Sequence, residues 1–323
     1  MAMRILAVLA VVATLGWCGY WLVGARALDH AIATGLTSSS VIDASDHTIQ
    51  GFPNRFDVTV ESPRFETDSL QWSAPFVQFF ALSYRLNHLI TVFAHDQRIS
   101  VLGRDATLHS EDLRASLVME AGLDLPLDRF TLIGQQLELS TEGQTHRLEN
   151  LRAASRRLSE REHEIGVVLE TVFPDTGHLD RIDPERHLPR RLDVLRLNAE
   201  VEFDRALDRH AVGGPEPMLV RWTLTGGRAA WGGTDFVASG ELSPGLDGLL
   251  SGIVELSVTG WRELTDRLRA SGGIPPENDA LVSLILQGLV NPEDANRIDA
   301  EFTVTNGTVY LGPILIGAIP AVF

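Results

Sequence analysis

His88, His95 and His109 fall within 22 residues, with Asp96 beside the second. Three imidazoles and a carboxylate on neighbouring strands are a donor set for a divalent transition metal. No ligand motif accompanies them, and such histidines are read as hydrogen-bonded surface or strand-end residues. Glu162-His163-Glu164 repeats the pattern at closer range. In a strand, however, His163 points away from both carboxylates, so the three cannot converge. Ser243, in Glu241-Leu242-Ser243-Pro244-Gly245, lacks the upstream glycine of a nucleophile elbow and is followed by proline, which makes it a turn serine. The chain has no lysine at all, which rules out a Walker A loop, and neither G-x-G-x-x-G nor H-E-x-x-H occurs. The expectation is a protein with no catalytic residue, no metal and no cofactor.

The remaining candidate is apolar. Trp72 to Ile90, WSAPFVQFFALSYRLNHLI, places five aromatic rings in nineteen residues of a chain that is 7% aromatic. As a strand it turns Phe76, Phe80, Leu82 and Tyr84 one way and Val77, Phe79 and Ala81 the other. Both sets are apolar, which leaves two readings. Either the strand is central and covered on both faces, or Phe76, Phe80, Leu82 and Tyr84 line a groove that takes an apolar ligand.

The elements that would carry such a groove are strands. Phe56, Val58 and Val60 alternate with Asp57, Thr59 and Glu61, and the same period of two marks Leu137 to Leu139, Leu195 to Phe203, Val220 to Leu224, Val254 to Val258 and Phe302 to Val304. Gly226-Gly227, Gly232-Gly233, Ser243-Pro244-Gly245, Asp247-Gly248 and Asn306-Gly307 separate them at hairpin distances. Two helices interrupt late. Trp261 to Ala270 has a stripe of Trp261, Leu264 and Leu268, and Leu281 to Val290 is apolar on nearly every side and calls for burial all round. Pro174 to Arg191, rich in proline, aspartate and arginine, reads as a crossover between halves at 29–173 and 192–323. The fold class expected is mainly β with a few helices: large curved antiparallel sheets in two halves, preceded by an N-terminal membrane helix within residues 1–28.

That helix is the run Ile5 to Leu22, with Arg4 before it and Arg26 beyond. Eighteen apolar residues are at the short end for a membrane span and long for a cleaved signal core, and Trp17, Tyr20 and Trp21 suit a membrane interface. Ala25-Arg26-Ala27 also offers a cleavage site after Ala27. The segment is thus either an inner-membrane anchor through residues 5–22 or a removed signal, and in both cases the body is periplasmic. Cys18, the sole cysteine, lies in this run and leaves the body without disulfides. A net charge of -16 without a basic stripe excludes nucleic acid as a partner.

Gly51-Phe52-Pro53 with Arg55-Phe56, Trp72-Ser73-Ala74-Pro75, Leu82-Ser83-Tyr84-Arg85 with Asn87-His88, and Asn306-Gly307 with Leu311-Gly312-Pro313, Gly317 and Pro320 together resemble a family of alphaproteobacterial envelope proteins, domain of unknown function family 2125. The resemblance implies an exported or membrane-anchored β-rich protein with no established activity. More distantly the chain is similar to AsmA-like envelope proteins, whose curved sheets form lipid-binding grooves, a likeness of fold rather than of site. The expected function is an envelope protein, anchored in the inner membrane, that binds or passes a lipid-like ligand in a β groove. The alternative is a non-enzymatic structural or interaction protein whose partner is another envelope component.

Overall fold

The structure is a computed structural model, which describes residues 2–67, 69–177, 179–211, 217–245 and 247–321. Its N-terminal helix α1 spans Ala2–Ser38. It continues well past the apolar run because nothing between Val23 and Thr34 stops a helix: there is no proline, and alanine recurs.

The body is one antiparallel meander. Its opening strands are β1 (Ile42–Asp43), β2 (Asp46–Gln50), β3 (Arg55–Glu61), β4 (Arg64–Glu66), β5 (Leu70–Ser73), β6 (Phe76–Leu82), β7 (Arg85–Phe93), β8 (Asp96–Val101), β9 (Arg104–His109) and β10 (Asp112–Met119). They form five long strands, each broken along its length: β1 with β2, β3 with β4, β5 with β6, β7 with β8, and β9 with β10. The breaks lie at one level. Ser62 N–H donates to the Pro75 carbonyl, Ser110 N–H to that of His95 and Glu111 N–H to that of Gln135, so pairing carries across the crease. Pro63 and Pro75 help to set it, since proline cannot donate to a ladder. In the next strand, β11 (Leu127–Thr141), Gln136 absorbs the crease with a φ of 48°. β11 accordingly pairs with β10 through its first half and with β9 through its second.

From β11 the ladder runs on through β12 (Gln144–Arg157), β13 (Glu162–Phe173), β14 (Leu192–Phe203), β15 (Leu219–Trp231), β16 (Thr234–Pro244), β17 (Leu250–Thr259), β18 (Arg297–Thr305), β19 (Thr308–Leu311) and β20 (Ile314–Ala318). Each strand pairs with the one before it. The two β halves therefore share one sheet: Val172 of β13 sits opposite Leu192 of β14, and residues 174–191, with the single-turn helix α2 (Leu179–Ile182), connect adjacent strands. Gly226-Gly227 is not a hairpin. It lies inside β15, where the register against β14 and β16 shifts, a bulge that glycine accommodates.

Helix α3 (Trp261–Ala270) matches its sequence stripe, with Glu263 paired to Arg267 at 2.7 Å. Helix α4 (Asp279–Gly288) sets Leu286 against a small core of Val258, Trp261 and Ile298. Burial all round is not what α4 finds, because Leu281 and Leu284 remain 58% and 69% exposed. A second small core, Leu242, Leu250 and Val304, lies nearer the last turns.

Candidate functional site

Pairing partners in an antiparallel ladder point to the same face, so register sorts every strand residue onto one of two sides. One row reads Val58, Phe79, Thr91, Ala115, Leu132, Ala153, Val167, Leu197, Gly227, Ala238, Leu256, Ala300 from β3 to β18. The next row on that face runs from Phe56 through Ala81, Leu89, Leu117 and Phe130 to Ile165, Leu224, Val254 and Phe302. Neither contains a charged residue. Twelve strands at about 4.8 Å make this an apolar band about 50 Å long.

The opposite face is polar and laced with ion pairs: Arg156 to Glu164 at 2.6 Å, Arg228 to Asp235 at 2.9 Å, and Arg221 to both Glu162 and Glu202 at 3.2 Å. These pairs are exposed and contribute little individually, but they fix which side meets water.

Little covers the apolar band. At β2 and β3 helix α1 lies on it, with Trp21 stacked 5.6 Å from Phe56 and Gly24 in close contact with the same ring. At β16 to β18 it is α3 and α4. Between them Leu89, Leu117, Leu132, Leu151 and Val167 are only half-buried. The accessible surface is 19,904 Å², against about 13,000 Å² for a compact protein of 35.4 kDa. The projecting first half of α1, a cylinder about 22 Å long, accounts for about 1,000 Å² of that excess. Most of the rest belongs to a single-layer sheet with no second sheet packed against it among the described residues.

The residues singled out by sequence take distinct places. Phe76, Phe80 and Leu82 of β6 are half-buried on the polar face, where Phe80 is opposite Asp57 and Ile90 and the Arg55 guanidinium lies 6.0 Å from its ring centre. Tyr84 is in the β6–β7 turn, 66% exposed. Val77, Phe79 and Ala81 are the residues of β6 that join the apolar band. The three histidines do not meet: His88 Nε2 lies 3.0 Å from Ser116 Oγ, His95 Nδ1 2.8 Å from the Ser110 carbonyl, and His109 Nδ1 2.7 Å from Asp96. Among the described residues no group of three metal-ligating side chains occurs. A recess of about 800 Å³ beyond the crease has a mixed lining, with Arg64, Glu66, Arg98, Asp105 and Glu142 beside Trp72 and Ile99, and does not belong to the charge-free rows.

A family described as an uncharacterized protein conserved in bacteria, DUF2125, matches residues 21–320. The chain belongs to that family. Searches among curated proteins and among solved structures returned no match. Family membership agrees with the resemblance read from the Gly51–Phe56, Trp72–Pro75 and Leu82–His88 motifs, while the AsmA-like likeness gains nothing from these comparisons.

Two ionisable side chains are buried among the described residues: His163, which alternation turns away from Glu162 and Glu164, and Asp183, which sequence reasoning passed over. His163 is 1% exposed on the apolar side, with Nδ1 3.1 Å from Ser155 Oγ and its ring against Phe203. Burial, then the nearby charge of Arg157, lowers its pKa from 6.5. Its place in the alternation with Ile165 and Val167 was the available signal. Asp183, also 1% exposed, accepts from the N–H groups of His187 and Leu188 and from Arg190. Burial opposes its charge, but these donors outweigh it and bring its pKa to about 2. It organises the 174–191 segment.

Proposed function

We propose that this family member is a non-enzymatic protein of the bacterial envelope, retained in the inner membrane by α1, which holds or passes an acyl chain along the apolar face of its sheet. The observation that carries the reading is the pair of charge-free rows, about 50 Å long, whose central residues Leu89, Leu117, Leu132 and Val167 are left only partly buried. A face of that size in water is costly unless something apolar lies on it. The ligand side is that of Phe79, Leu132 and Val167, with Phe76 and Phe80 behind it.

The test is a matched pair of substitutions. Leu132→Asp puts a charge into the apolar row, and Thr131→Asp puts the same charge on the opposite face of the same strand. Native mass spectrometry of the detergent-purified chain, with uptake of a fluorescent fatty acid, should show lipid on the natural chain and on Thr131→Asp and loss of it on Leu132→Asp. Absence of lipid and of uptake from all three would sink the reading. The second reading, a docking protein for another envelope component, is favoured by the exposed Leu281 and Leu284 of α4. Photo-cross-linking from position 284 in cells that captured only lipid would dismiss it.

A further inference from the structure

Helix α1 leaves the sheet at the end where the 51–54 turn and the β6–β7 turn lie. Trp17 Nε1 donates to the Pro53 carbonyl at 2.9 Å, Tyr20 OH to that of Ser83 at 2.6 Å and Trp21 Nε1 to that of Arg55 at 2.7 Å. Further along, Asp29 meets His47 at 2.9 Å, so α1 runs down β2 and β3 and only residues before Trp17 project past the tip.

Length then becomes decisive. From Arg4 to Trp17 is thirteen residues, about 20 Å of helix, whereas the hydrocarbon layer is about 30 Å thick. An α1 that crosses with Arg4 on the cytoplasmic side cannot hold the tip clear of the bilayer. We propose that this tip of the sheet is itself seated in the lipid interface, with Phe52, Tyr84 and Leu86 among the headgroups and upper acyl chains. The inference rests on the reading of α1 as a retained membrane helix.

The surface suits that medium. Phe52, Tyr84 and Leu86 are 53%, 66% and 57% exposed, a cluster of large apolar side chains at one end of the sheet. Arg85 beside them is exposed and able to reach lipid phosphates. The Pro53, Arg55 and Ser83 carbonyls, which lipid could not satisfy, already receive the three aromatic donors of α1.

The test uses the full chain with Cys18→Ser, a single cysteine at 84, 86 or 102 carrying an environment-sensitive fluorophore, and vesicles of phosphatidylcholine and phosphatidylglycerol. Leu102, 78% exposed in the β8–β9 turn at the other end of the sheet, is the reference. Labels at 84 and 86 should show blue-shifted emission and loss of intensity with shallow spin-labelled lipid, neither of which appears at 102. Equal spectra and equal quenching at all three positions, in a chain that withstands alkaline carbonate extraction, would overturn the seated tip while leaving the anchor intact. Release by carbonate would overturn both.

Discussion

Trp21→Ala tests whether α1 and the sheet are one unit. The indole is 8% exposed, stacked on Phe56 at 17°, edge-on to Phe52, and bonded to the Arg55 carbonyl. A buried tryptophan removes about 200 Å² from water, which at about 25 cal/mol/Å² is about 5 kcal/mol. Residual burial in the unfolded chain lowers that figure, and the lost hydrogen bond adds about 1 kcal/mol. The expected cost is therefore about 3–5 kcal/mol, the range of large aromatic deletions. Trp21→Phe keeps a ring against Phe56 and loses the donor, so about 1–2 kcal/mol is expected. Urea titrations of the full chain in nonionic micelles, followed by the near-ultraviolet signal of the remaining tryptophans, measure both. If Trp21→Ala unfolds at the same urea concentration as the natural chain, α1 is not held by the sheet, and the placement of the tip fails with it.

Gly24→Val should loosen the same contact, because a β-carbon there would stand 2.9 Å from Phe56 Cζ, whose ring is already pinned by Trp21; a lower urea midpoint checks it. His163 folds neutral, so below pH 6.5 the unfolded chain takes up the proton first and stability falls with falling pH. Urea midpoints between about pH 5 and 7.5 should show a flatter dependence in His163→Gln than in the natural chain. Asp183, ordinarily near 3.8 and held at about 2, contributes stability that is complete above its unfolded pKa and lost as pH falls through about 2. At neutral pH Asp183→Asn removes that charge from Arg190, and trypsin should cut at Arg186 and Arg191 faster than in the natural chain.

Alternation made the strands legible. Leu195 to Phe203, Val254 to Val258 and Phe302 to Val304 fall within β14, β17 and β18, and Gly232-Gly233, Asp247-Gly248 and Asn306-Gly307 are turns. What stayed hidden depends on partners rather than on the strand itself. β6 is apolar on both sides, so its own residues cannot say which set joins the neighbours' apolar rows. Only the register does, by placing Phe79 opposite Val58 and Phe80 opposite Asp57. The crease is similarly collective: Pro63 and Pro75 are unremarkable singly and meaningful once β3, β4, β5 and β6 are side by side. The extent of α1 was obscured because an apolar run ends where membrane solvation ends, while the helix ends where backbone preference and docking to β2 and β3 end.

The single meander has a further consequence, for cooperativity. With nearly every strand from β11 onward joined only to its chain neighbours, and without a second sheet among the described residues to tie distant strands together, stability is close to a sum of local interfaces, as in a solenoid. Such a sheet opens from its ends. One end is clasped by α1. The other, β20, has all five residues exposed and Leu315 at 64%, so hydrogen exchange should proceed inward from there, each strand slower than the one outside it.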